Sequence, residues 1–84
     1  MASYLVETYL SRSSAAGLPE ALARVSAAAD ALSLEGIPVQ YLRSIFVPED
    51  EICFHLFEGA SSETVREAGR RAELSFDRVV EAIS

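Results

Sequence analysis

The stretch "VQYLRSIFVPEDEICFHLFEG", residues 39–59, restricts the fold more than any other part of the chain. Two runs of branched and aromatic residues flank Pro48-Glu49-Asp50-Glu51, a connection that leaves room only for a hairpin. The runs read as strands over 39–47 and 51–58. Pairing Val47 with Ile52 sets Ile45 against Phe54 and Arg43 against Leu56 on one face. On the other face Phe46 meets Cys53, Ser44 meets His55 and Leu42 meets Phe57. Both faces are mainly apolar, whereas a two-layer sandwich needs only one apolar face. Something must cover the surplus face.

The rest of the chain supplies one cover. "SYLVETYL" reads as a first strand, and "SRSSAAG" as a small polar loop. Leu18, Leu22, Val25, Ala29 and Leu32 then recur at helical steps, which predicts a helix over 19–35. Pro19 suits its first turn, and Gly36 with Pro38 its end. Ser61 or Ser62 caps a second helix to about Ala72, with Val65, Ala68 and Ala72 inward. "SFDRVVEAI" closes the chain as a fourth strand. The order β-α-β-β-α-β with right-handed crossovers predicts a ferredoxin-like α+β fold. It is an antiparallel sheet with two helices on one face, in a single domain over 1–84. The simplest cover for the second face is the same face of a second copy, which gives a dimeric α+β barrel.

Composition agrees with a homodimer. Half of the 84 residues are hydrophobic, and a core this small is marginal alone. One cysteine cannot form an internal disulfide. The net charge of −6 repels nucleic acid and anionic membranes, so neither is expected as a partner. No apolar run reaches membrane-spanning length and the N-terminus lacks a basic leader, so the expected location is cytoplasmic.

"YLVETYL", the hairpin and "ETVREAGRRAELSFDRVVEAI" resemble a family of small bacterial ferredoxin-like proteins catalogued as a domain of unknown function. The resemblance covers nearly the whole chain in order. It implies a ferredoxin-like dimer and, since a described member is nickel-binding and dimeric, nickel as a candidate ligand. It also leads one to expect glycine after the second helix, in "RRAGL", where this chain has Glu73. Glutamate is strained at a left-handed cap, so the helix is expected to end differently here.

Cys53 and His55 share a strand face and could together hold Ni²⁺ or Zn²⁺. A closed site needs about four ligands, and one chain offers two. Cys53 therefore also reads as a small buried hydrophobe and His55 as a histidine bonded to Ser44. We expect this pair on the helix-free face, at a dimer cavity formed with Ser44, Phe46 and Phe57. There His55 is the candidate metal ligand, or the general acid/base of a cofactor-free enzyme acting on a small apolar substrate. A binding protein for a metal or small apolar ligand, an enzyme and a structural partner all remain open. Arg43, Glu58 and Glu7 interrupt apolar strands, and Arg43–Glu58 is the expected ion pair, with Glu7 joining or replacing it. Glu49-Asp50-Glu51 reads as a solvated turn that guards a strand edge.

Overall fold

A computed structural model of the chain describes residues 1–83. Strand β1 (Ala2–Tyr9) leads through a 3-10 helix over Arg12–Gly17 into helix α1 (Leu18–Leu34). Strands β2 (Val39–Val47) and β3 (Ile52–Gly59) form the hairpin. Helix α2 (Ser62–Arg71) and strand β4 (Phe76–Ala82) complete it. The strands lie in the order β2-β3-β1-β4, every neighbouring pair antiparallel. This is the ferredoxin-like arrangement expected from the element order. The loop expected over 11–17 is instead helical, with Ser14 N–H bonded to the Ser11 carbonyl at 3.0 Å.

The helices pack on one sheet face through Val25, Ala28, Ala29 and Leu32 of α1, Val65 and Ala68 of α2 and its C-cap Ala72. Opposite them stand Tyr4, Val6, Val39, Phe57 and Val79. Alanine dominates the helix side of this contact, and small residues let helices approach a sheet closely. Gly69 takes this to its limit, since a Cβ there would meet the Phe76 ring at 2.9 Å. Ser61 caps α2 by accepting from Thr64 N–H at 3.3 Å. At the other end of α2, Arg71 forks onto Glu35 at 2.5 and 2.9 Å and also reaches Glu67. That clamp joins the C-terminal ends of the two helices.

Both helices end in the same hydrogen-bond pattern. After α1, Gly36 N–H bonds to Ser33 and Ile37 N–H to Leu32, with Gly36 at φ +86°. After α2, Glu73 N–H bonds to Arg70 and Leu74 N–H to Gly69, with Glu73 at φ 60°. The helix thus does not end differently to spare the glutamate. The two bonds hold Glu73 in the left-handed region, which disfavours a residue with a Cβ.

The hairpin register holds from Val47–Ile52 to Arg43–Leu56, as expected. Beyond Arg43 it shifts: a bulge at Leu42 lets Tyr41, not Leu42, face Phe57. Tyr41 turns to the helix side, where its ring lies 5.5 Å from that of Phe57. Leu42 is left 40% exposed.

The expectation that Cys53 and His55 line the helix-free face is overturned. Cys53, His55 and Phe57 alternate with Phe54, Leu56 and Glu58, and the first set lies under the helices. The physical reason is charge. Glu7, Arg43, Glu58 and Arg78 all share the opposite phase, and charges stay where water reaches them. The open face therefore carries Leu5, Ile45, Phe54, Leu56 and Val80 together with these charges.

Candidate ligand-binding site

Strand β3 delivers His55 to the helix side, and its two neighbours in the sheet supply its partners. Ser44 on β2 lies directly opposite, with Oγ 2.6 Å from Nδ1. Thr8 on β1 places Oγ1 3.4 Å from Nε2. Thr8 gives its hydroxyl proton to the Cys53 carbonyl at 3.3 Å, so toward His55 it accepts. Nε2 therefore carries the ring proton, and Nδ1 accepts from Ser44. Ser44 in turn accepts from the Tyr41 hydroxyl at 2.7 Å. The bulge at Leu42 makes that last bond, because it brings Tyr41 to the face of Ser44. The result is one directional chain from Tyr41 through Ser44, His55 and Thr8 to the backbone of Cys53.

His55 is 1% exposed, and burial pushes its pKa down to about 4. The neutral ring suits the chain, since a neutral imidazole donates at one nitrogen and accepts at the other. Burial also pushes the Cys53 thiol up, away from the reactive thiolate. No buried side-chain nitrogen or oxygen among the described residues lacks a partner.

A cavity of about 230 Å³ opens beside this chain. Its floor is buried: Thr8, Cys53 and His55. One wall is the stripe Leu18, Ala21 and Arg24 along α1, spaced at helical steps of three. Glu73, Leu74 and Ser75, between α2 and β4, form another. Leu10 and Ser14 close the end where β1 runs into the 3-10 helix. Of the expected pocket residues, Cys53 and His55 do line a cavity. Ser44, Phe46 and Phe57 do not: Ser44 is bonded behind the ring, and Phe57 is fully buried in the core.

The polar residues at the mouth differ in how they are used. Arg24 donates Nε–H to the Ala72 carbonyl at 3.1 Å and forms no ion pair among the described residues. The Glu73 carboxylate likewise makes no hydrogen bond or ion pair there. Outside the cavity lining, Glu51 is the contrast, being also held at positive φ, 53°. Its carboxylate accepts from Arg12 N–H at 2.9 Å and from the Tyr9 hydroxyl at 3.5 Å, clipping the hairpin to the end of β1. The acidic turn therefore does more than guard an edge.

The expected Arg43–Glu58 ion pair does not form. The bulge pairs Glu58 with Gln40, and Arg43 is exposed without an acidic partner among the described residues. Glu7 pairs with Arg78 instead, across β1–β4 at 2.5 Å. Arg78 is the partner because β4 lies beside β1 and sets it directly opposite Glu7.

The comparisons settle the family. The model of the family described as "Nickel responsive protein SCO4226-like" matches residues 4–82. The chain belongs to this family. Its fold superposes on the crystal structure of SCO4226 from Streptomyces coelicolor A3(2) with a TM-score of 0.81, covering 99% of each chain at 20% identity. No curated protein matches the chain.

The family description raises nickel, and the residues can be tested for it. Among the described residues no three His, Cys, Asp or Glu side chains converge as a metal site would require. The lone histidine has both ring nitrogens engaged by hydroxyls, and Cys53 is a buried thiol. The described residues of one chain do not present a nickel site. No helix among the described residues is long and apolar enough to cross a membrane.

Proposed function

We propose that this protein is a homodimeric binding protein that holds a small molecule, rather than a metal ion, in the cavity on the helix side of each protomer. The observation that carries this reading is the cavity itself, with its buried floor of Thr8, Cys53 and His55 and its polar mouth. The open face, with Leu5, Ile45, Phe54, Leu56 and Val80, is assigned to the second copy. The two surfaces lie on opposite sides of the sheet, so dimerisation leaves both cavities accessible. The single free cysteine suits a reducing, cytoplasmic setting.

An acid–base enzyme built on His55 is less well supported. A ring held neutral down to a pKa of about 4, with both nitrogens bonded, is a poor proton acceptor near neutral pH. The test is amide chemical-shift mapping of the dimer against a metabolite library and, separately, against Ni²⁺. The reading expects library hits to move residues 8–10, 53–55 and 73–75. Tight, stoichiometric Ni²⁺ binding that is lost in His55→Ala would contradict it.

A further inference from the structure

Two glutamates of this chain stand in the left-handed region, and only one is explained by its contacts. Glu51 uses its carboxylate to fasten the hairpin to the start of the 3-10 helix. Glu73 sits where a glycine would be free of strain, yet its carboxylate bonds to nothing among the described residues. A side chain kept at a strained position without a structural contact points to another use of that side chain. Glu73 lines the cavity. So does Arg24, whose guanidinium is pinned through Nε to Ala72 O while its two terminal amino groups take no hydrogen bond among the described residues. Arg12, Arg24 and Arg43 form no ion pair among the described residues, and of these three only Arg24 lines the cavity. The same cavity thus offers one cation and one anion, neither neutralised by the other. Leu10, Leu18 and Leu74 line the same cavity with apolar surface.

We propose that the cavity binds a small zwitterion with an apolar body, of free amino-acid size, its carboxylate on Arg24 and its ammonium group on Glu73. This rests on the cavity being the ligand site. A monoanion would gain Arg24 and be repelled by Glu73, and an amine would meet the reverse. Only a ligand carrying both charges satisfies both residues. Arg24 suits the carboxylate because the guanidinium presents its amino groups as a fork. The buried hydroxyl–imidazole chain below is saturated with hydrogen bonds, so it gives the floor shape without competing for charge.

The test uses three probes that share one branched body: L-leucine, isocaproate, which lacks its amine, and isoamylamine, which lacks its carboxylate. Each is titrated into the intact dimer, read by amide shifts at residues 8–10 and 73–75. L-leucine is expected to bind about tenfold or more tightly than either truncated probe. Glu73→Gly should weaken L-leucine about tenfold, tighten isocaproate by removing the repulsion, and raise the melting temperature, a gain in stability with a loss of L-leucine binding. Arg24→Gln should weaken L-leucine and isocaproate and tighten isoamylamine. Isocaproate binding as tightly as L-leucine, or unchanged L-leucine affinity in Glu73→Gly, would overturn the proposal. So would the absence of shifts with all three probes. If library molecules still move the cavity amides in that case, the ligand class is wrong and the cavity reading stands. If nothing moves them, both fall.

Discussion

On the helix side of the sheet, polar groups are buried and bonded in sequence, from Tyr41 through Ser44, His55 and Thr8 to Cys53. On the open side, apolar groups stand half-covered between charges: Leu5, Phe54 and Leu56 beside Glu7, Arg43 and Glu58. The same strands build both faces, with alternate residues. The difference shows how a short chain divides its labour. A buried polar group is tolerable only when every partner is supplied from within, because each orphan costs about 1–3 kcal/mol. An exposed apolar face carries no such requirement and can wait for a second chain. One face is finished by folding, and the other is the one proposed for association.

The largest effect that separates the faces is expected from a charge placed on the open one. Leu56→Glu should convert the dimer to a single-chain species by light scattering, while helix content by circular dichroism is retained. A Leu56→Glu protein that stays dimeric would break the assignment of that face.

Next comes pH, which addresses the other face. His55 has a folded pKa of about 4 against an ordinary value of 6.5. Between those values the unfolded chain binds a proton that the folded chain refuses, so stability rises with pH across the window. Acidification from pH 6.5 to 4 should therefore remove on the order of 3 kcal/mol through this group. Urea denaturation at successive pH values, run beside His55→Gln, checks it: the variant should lose that part of the slope. An unchanged slope would mean that His55 is not the buried neutral group described here.

A smaller contrast lies within the helix side, at the two matched helix ends. Gly36 takes positive φ without strain, and Glu73 takes it with strain. Glu73→Gly should stabilise by about 1 kcal/mol and Gly36→Ala destabilise by about the same. The smallest effect belongs to the charges of the open face. A double-mutant cycle on Glu7 and Arg78 should show a coupling of about 0.5 kcal/mol, as befits a pair in which Arg78 is largely exposed. The corresponding cycle on Arg43 and Glu58 should be additive.

Most of the architecture was legible because strand and helix periods differ and the caps were distinct: Pro19, Gly36 and Ser61 each mark an element boundary close to where it occurs. The facing of the sheet was also legible, but in the charges rather than in Cys53 and His55. Glu7, Arg43, Glu58 and Arg78 share one phase, and the opposite phase had to be the covered one. The bulge at Leu42 was not legible, since Tyr41 and Leu42 are both apolar enough to fill the place opposite Phe57. Without the bulge, Tyr41 could not be seen to join Ser44, and Glu58 fell to the wrong partner. The bond between Ser44 and His55 followed from register alone. The cavity did not, because its walls come from a 3-10 helix, one stripe of α1 and the turn before β4, which only the tertiary fold brings together.

The division between the two faces is tested most directly by isotope-filtered NOE spectroscopy on a dimer mixed from labelled and unlabelled chains. The account predicts intermolecular contacts from Leu5, Ile45, Phe54, Leu56 and Val80 and none from residues of α1 or α2. Intermolecular contacts that run through the helices, or a protein that gives no intermolecular contacts because it is a single chain, would contradict it.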